Sequence, residues 1–313
     1  MPKVDRNNPK RGSVSESRYS LMEFEREFPD DAACLDWLVT HRYPDGVFCR
    51  TCDRITKHHR DANRPSYACQ FCGTHMHPMK GTMFENSATS LKLWFYAIYL
   101  MTSTRCGVSA KHLERELGVT YKTAWRMANR IRELLAQDRD LFDGTVEVDE
   151  AYFGGKDMWR HKNKRRRDHS AKDKTPVVGL AQRGREGQPG KVLAKVVEGT
   201  TRYHLRPIPA HSILPGSTVY SDQHLAYHTL GKLGYERGTV NHHLGVYVDG
   251  DVHTNTIEGF WANVKRGVSG NYHAVSEKFL QNYLDEFVFR YNNRSTATPK
   301  GVFGVALSRI PRA

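Results

Sequence analysis

Two cysteine pairs limit what this chain can fold into more than any other feature. The stretch from Cys49 to Cys72 opens on "CRTC" and closes on "CQFC", with 16 residues between the pairs. In a C-x-x-C turn both thiolates can share one ion, and a second such turn completes a tetrahedral set. The pattern predicts a zinc ribbon in which Cys49, Cys52, Cys69 and Cys72 hold one Zn²⁺. With every position filled by protein, that ion is structural rather than catalytic. Four unliganded thiols are the plain alternative. His58, His59, His75 and His77 lie nearby and read as surface or phosphate-contacting groups rather than ligands. Cys34 and Cys106 stand alone and read as small apolar residues.

The compartment supports the metal reading. The N-terminus "MPKVDRNNPKRGSVSESRYS" is polar and lacks the apolar core of a secretory signal, so it reads as a mobile basic arm. A reducing, cytoplasmic compartment favours metal binding over disulfides. The longest apolar run, "LWFYAIYLM" at 93–101, is about half of what a bilayer helix needs. No membrane span is expected. Lys plus Arg exceed Asp plus Glu by 47 − 34 = 13, an excess that points to a polyanionic partner, with nucleic acid first.

Helical spacing marks three stretches before residue 140. "DDAACLDWLVTHR" places Ala33, Leu35, Trp37 and Leu38 at helical intervals behind acidic start residues. "SLKLWFYAIYLM" is an apolar helix. Residues 108–137 then predict a short helix with Leu113 and Leu117 on one face, a turn at Gly118, and a second helix with Ala124, Met127, Ile131 and Leu134 inside. That is the outline of a helix-turn-helix, whose second helix would present Tyr121, Lys122, Arg126 and Arg130 outward. An ordinary helical hairpin is the alternative.

Against this basic background, "VEVDEAYFGGK" at 146–156 sets Glu147, Asp149 and Glu150 in a β-branched run. Strands are depleted in acids, and a buried unpaired carboxylate is costly. A basic side chain or a metal ion is therefore expected beside them. Alternation puts Glu147 and Asp149 on one face and Glu150 on the other. Two further acids stand out. Asp222 follows a predicted strand, Thr218 to Ser221, and reads either as an N-cap or as a functional group. Glu258 lies one turn into a helix begun by "HTNTIEGFWANVKRG". Asn255 with Glu258 fits a capping box, the structural alternative there. Lys265, seven residues on, falls on the same side of that helix.

The motifs "CRTC", "CQFC", "GVSAKHLERELGVTYKTAWRM", "VEVDEAYFGGK", "VYSDQHLAY", "VHTNTIEGFWANVKRG" and "YHAVSEKFLQNYLDEFVFRYNNR", in this order over roughly residues 20 to 300, resemble the ISXO-like DDE transposases of bacterial insertion sequences. The resemblance implies an α/β ribonuclease-H-like catalytic domain behind the zinc ribbon and helix-turn-helix region. Asp149, Asp222 and Glu258 would be its catalytic carboxylates, holding two Mg²⁺ (or Mn²⁺). Asn255, Lys265 and His253 would support them. It also implies metal-dependent cleavage and strand transfer on double-stranded DNA, at transposon ends and target, by a homodimer or larger assembly associated with the nucleoid. DNA contacts are expected from Lys122, Arg126, Arg130, Lys265, Arg266 and the basic loop carrying Lys164, Arg165, Arg166 and Arg167. A solvated charged loop is the alternative for the last. The expected organisation is a basic arm at 1–20, helix and ribbon at 21–85, helix-turn-helix region at 86–142, catalytic domain at 143–295, and tail at 296–313. Pro207 and Pro209 occupy a stretch where such a fold has a helix, and they argue against one there. Two other functions fit the same motifs: a non-catalytic, domesticated DNA-binding regulator, and a metal-dependent nuclease without strand transfer.

Overall fold

The computed structural model describes residues 19–313 apart from 139, 155–173, 187, 223–226, 229, 240–247, 297 and 299. Lys164, Arg165, Arg166 and Arg167 therefore lie outside the described residues, as does nearly all of the N-terminal arm. The chain divides into two compact units, Met1–Ser103 with Ser295–Ala313, and Thr104–Arg294.

The first unit opens with α1 (Leu21–Glu27), started by a capping box in which Ser20 accepts from the Glu23 N–H and Glu23 accepts from the Ser20 N–H. Asp30 caps α2 (Asp31–Arg42) in the simpler way, accepting from the Ala33 N–H at 2.9 Å. Next come β1 (Val47–Cys49) paired with β2 (Arg54–Thr56), and an antiparallel sheet of β3 (His58–Arg60), β4 (Tyr67–Cys69) and β5 (His75–Met76). These strands are too short to bury a core of their own. The apolar segment forms α3 (Leu91–Ser103), with Trp94, Phe95, Ile98 and Met101 buried. Phe95 packs on Phe28 and Trp37, and Phe303 from the C-terminal helix Gly301–Ser308 packs on Phe24, Phe28 and Tyr99. The residues read as a tail thus contribute to this core. Arg42 ties them to the ribbon, donating to the Pro78 and Lys80 carbonyls and to that of Pro311.

The second unit begins with α4 (Ala110–Leu117), ended by Gly118 in the left-handed region (φ 63°), and α5 (Tyr121–Leu134). Ala124, Met127 and Ile131 are buried as the pattern predicts, and Leu135 rather than Leu134 is the last fully buried leucine. A five-stranded sheet follows, built from β6 (Thr145–Phe153), β7 (Thr175–Gln182), β8 (Val192–Val196), β9 (Thr218–Ser221) and β10 (Glu236–Thr239). Its order is β10-β9-β6-β7-β8, antiparallel across β6, β7 and β8 and parallel from β6 to β9 to β10. Between β8 and β9 two short helices, Arg202–Leu205 and Pro207–Ser212, stand where the prolines argued against a helix. The physical reason is position: Pro207 begins the second helix, where its missing N–H is not needed. The hairpin Val248–Asp249 with Val252–His253 leads into the long helix Asn255–Gly267, and the helix Glu277–Asn292 closes the unit.

Alternation along the strands sorts the sheet into two faces. Ala151, Phe153, Val177, Ala181, Val192 and Ala194 pack against Ile257, Phe260, Trp261 and Val264 of the long helix and Leu284 and Val288 of the closing one. Val146, Val148, Val178, Leu180 and Val219 pack on the other face with Leu205, Ile213, Tyr227 and Leu230. Fully burying one such aliphatic side chain is worth about 1.5–3 kcal/mol, so both faces contribute to holding the sheet.

Candidate functional site

The sheet brings two of the three acids together. On β6 and β9, which run parallel, Val148 is opposite Ser221. Carrying the register one residue further sets Asp149 beside Asp222, the first residue beyond β9. Asp149 lies between Glu147 and Ala151 on the helix-covered face. Among the described residues Asp149 has no ion pair; instead, burial and the charges of Glu150, Asp222 and Glu258 push its carboxyl up to about 7. Glu150 points to the opposite face, where it accepts from the buried Tyr227 hydroxyl at 2.8 Å.

The third acid arrives on the helix Asn255–Gly267, which reaches the sheet because Gly179, the antiparallel partner of Asp149, has no side chain. A Cβ there would overlap Trp261 and come within 2.7 Å of Ile257 Cδ1. The capping-box alternative for Glu258 fails on geometry. Thr254 holds the N-cap position and makes no side-chain capping bond, so Asn255 is the first helical residue and does not cap. Glu258 accepts instead from the Thr254 hydroxyl at 2.7 Å. Its side chain is exposed, on the same side as Asn255, Lys265 and Arg266.

Glu147 is fully buried on the same face but, unlike Asp149, is paired with an arginine. It accepts from Arg183 Nε at 2.8 Å, from the Thr256 N–H at 2.8 Å and hydroxyl at 2.9 Å, and from the Ile257 N–H at 3.0 Å. Arg183 also donates to the Asp251 and His253 carbonyls and to His253 Nδ1, and lies over the Tyr220 ring. The Asn255 N–H points at the same ring nitrogen at 3.4 Å. Beyond β9, Arg237 approaches the Asp222 carbonyl at 3.4 Å, and burial lowers its pKa.

In the first unit the four cysteines converge. Cys49 and Cys72 sulfurs are 3.4 Å apart, Cys52 and Cys69 sulfurs 3.9 Å, and all four lie within 4.8 Å of one another. Tetrahedral Zn–S bonds of about 2.3 Å place sulfurs about 3.8 Å apart, so the cluster has the dimensions of a closed metal site. Hydroxyls favour thiolates here. Thr56 holds Cys69 down to about 5, and Thr74 lowers Cys72. His58, His59, His75 and His77 are outside the cluster. Cys34 is buried, its thiol pushed up to about 12, as a small apolar residue should be. Cys106 is exposed, which corrects the apolar reading: it sits in the turn before α4 rather than on a buried helix face.

Lys122, Arg126 and Arg130 are exposed on α5, as the helical spacing predicts, with Arg130 paired to Glu133 on the surface. Sequence reasoning missed Arg183, Thr254, Thr256 and Tyr227. Arg183 follows a strand directly and Thr254 precedes a helix, but neither position alone signals a partner many residues away.

Comparison with known proteins gives the site its context. The ISXO2-like transposase domain family matches residues 142–292, which span the sheet and all three acids. A protein of transposable element ISH50 in Halobacterium salinarum, itself uncharacterized, is 32% identical over 277 residues, covering 85% of this chain and 92% of the relative. An uncharacterized transposase-like protein of Haemophilus influenzae is 27% identical over 103 residues, 33% of this chain and 82% of the relative. These likenesses define a transposase, a class that acts on DNA. The chain belongs to the ISXO2-like transposase family. No helix among the described residues is long and apolar enough to cross a membrane.

Proposed function

We propose that this protein cleaves the DNA ends of an insertion element and joins them to a target. The observation that carries this reading is the placement of Asp149 beside Asp222 on adjacent parallel strands, with Glu258 brought in from the helix packed on that face. The sheet supports a ribonuclease-H-like domain: three antiparallel strands, two more added parallel to the first, and acids on the first strand and at the end of its parallel neighbour. A buried Asp149 with the carboxylates of Glu150, Asp222 and Glu258 acting on it fits a divalent-metal site, with Arg237 beside Asp222 at its edge. Asp149, Asp222 and Glu258 would hold two Mg²⁺ or Mn²⁺. When bound, the ions supply charge stabilisation on phosphate oxygens and an activated water. The side chains do the positioning. Thr254 orients Glu258, and Lys265, about 10 Å further along the helix, faces a phosphate or terminal base.

Water attack on the phosphodiester at the element end breaks its P–O3′ bond and frees a 3′-hydroxyl. That hydroxyl then attacks a target phosphorus in line and displaces the target strand's own 3′-oxygen, which leaves as a hydroxyl. His253 is held by Arg183 and supports the hairpin leading to Asn255 more directly than it supports DNA. Asn255 has no capping role and stays a supporting residue at the rim. Lys122, Arg126 and Arg130 would read or grip the ends, and the basic loop with Arg266 would line the path of the backbone, where salt weakens binding. One Zn²⁺ on the four cysteines holds the ribbon. Two ends are joined at once, so a homodimer or larger assembly is part of the proposal, as is a cytoplasmic location.

The test is strand transfer. Pre-cut element ends and a supercoiled target should give joined products only with Mg²⁺ or Mn²⁺. Cleavage of uncut ends without joining would leave a nuclease, and tight end binding with neither reaction would leave a DNA-binding regulator.

A further inference from the structure

We propose that Glu147 is a positioning residue for the metal-binding carboxylates and not itself a ligand, an inference that rests on the active-site reading above. Both of its oxygens are occupied. Oε1 accepts from Arg183 Nε and the Thr256 hydroxyl, and Oε2 from the Thr256 and Ile257 N–H groups. Four donors saturate the lone pairs of a carboxylate, which leaves nothing to offer an ion. The Arg183 guanidinium offsets its charge, at a side chain with no exposure.

What those bonds connect is specific. Thr256 and Ile257 are the second and third residues of the helix that carries Glu258, and their N–H groups belong to the unpaired first turn. Glu147 therefore caps this helix from another element. Thr254, at the N-cap position, is released from capping and donates to Glu258 instead. Asp149 lies two residues along the same strand, about 6.6 Å from Glu147. One buried carboxylate thus fixes the turn bearing the third acid against the strand bearing the first. Arg183 extends the brace to the hairpin by holding the Asp251 and His253 carbonyls.

Glu147→Gln keeps the shape but turns an NH₂ group toward either Arg183 or the helix N–H groups, donor facing donor. In the full-length protein, Mn²⁺ titrated by calorimetry should bind about tenfold more weakly, in line with other residues that orient metal ligands. Cleavage lost at low Mg²⁺ should return in large part at high Mg²⁺. Thr256→Val, which removes only the hydroxyl contact, should shift the metal midpoint the same way by less. Unchanged Mn²⁺ affinity in both variants, whatever their melting temperatures, would reduce Glu147 to a structural brace. Activity that no Mg²⁺ concentration restores would make it a ligand; either result overturns the proposal. If Glu147→Gln does not fold, Thr256→Val decides alone. Asp149→Asn and Asp222→Asn separate the two ideas: if they still bind Mn²⁺ and cleave, the active-site reading itself is wrong.

Discussion

Asp149 and Glu147 are two positions apart on one face of one strand, yet their surroundings give them opposite chemistry. Glu147 is paired with Arg183 and accepts from helix N–H groups, whereas Asp149 meets other carboxylates and is pushed up to about 7. The shift has a consequence for stability. Because its carboxyl titrates near 7 in the folded protein and near 3.8 when free, the metal-free folded state binds this proton more tightly than the unfolded chain. Acid then favours folding, and the contribution of Asp149 is lost as pH rises from about 4 to about 7. Melting temperatures in chelator, compared between wild type and Asp149→Asn across that window, should show the wild type losing ground toward pH 7 and the variant losing less. Parallel pH profiles for the two would remove Asp149 from the acidic cluster. Alternation alone made both residues visible in the sequence and could not separate them. The distinction depends on Arg183, 36 residues further on, and on the first turn of a helix more than 100 residues away.

At the scale of elements, the site depends on how closely one helix approaches the sheet. Gly179 sets that distance, and Gly179→Ala should drive Ile257 and Trp261 outward. Overpacking of this kind costs about 1–3 kcal/mol, so denaturant unfolding should show a loss of that size, accompanied by weaker divalent-metal binding as Glu258 is displaced. A neutral Gly179→Ala would mean that the helix yields freely. Much at this scale was legible. The cysteine spacing, the Thr218–Ser221 strand and the two helices flanking Gly118 all follow from local pattern, because turn geometry and burial periodicity are encoded within a few residues. What local pattern did not settle has two causes, competition from distant groups and position within an element. Asn255 and Glu258 have capping-box spacing, but Glu147 supplies the cap from across the sheet, which moves the helix start by one residue and leaves Glu258 to Thr254. Pro207 was read as a helix breaker when it begins a helix. Gly179 could signal only that something approaches the strand closely, not that a helix from residue 255 onward is what packs there.

The whole molecule assigns its two units different supports. The first has four cysteines gathered at its short strands, close enough to share a metal ion, and helices packed through an aromatic cluster; the second has a sheet covered on both faces. About one Zn²⁺ per chain should be found in freshly purified protein. Cys49→Ser or Cys69→Ser should release it and loosen the ribbon, while hydrogen exchange in residues 145–292 stays slow. Protein purified without zinc, yet with a protected ribbon, would make the cysteines a packing cluster. In the proposed reaction three acids from three elements act on one phosphodiester. The direct measurement is Mg²⁺-dependent cleavage of an end-containing duplex by wild type, Asp149→Asn, Asp222→Asn, Glu258→Gln and Asn255→Ala, each checked for folding and DNA binding. Cleavage should fall by orders of magnitude in the first three variants, with binding retained, and less in Asn255→Ala. Near-normal cleavage by Glu258→Gln beside an inactive Asn255→Ala would contradict this and move the third role to Asn255.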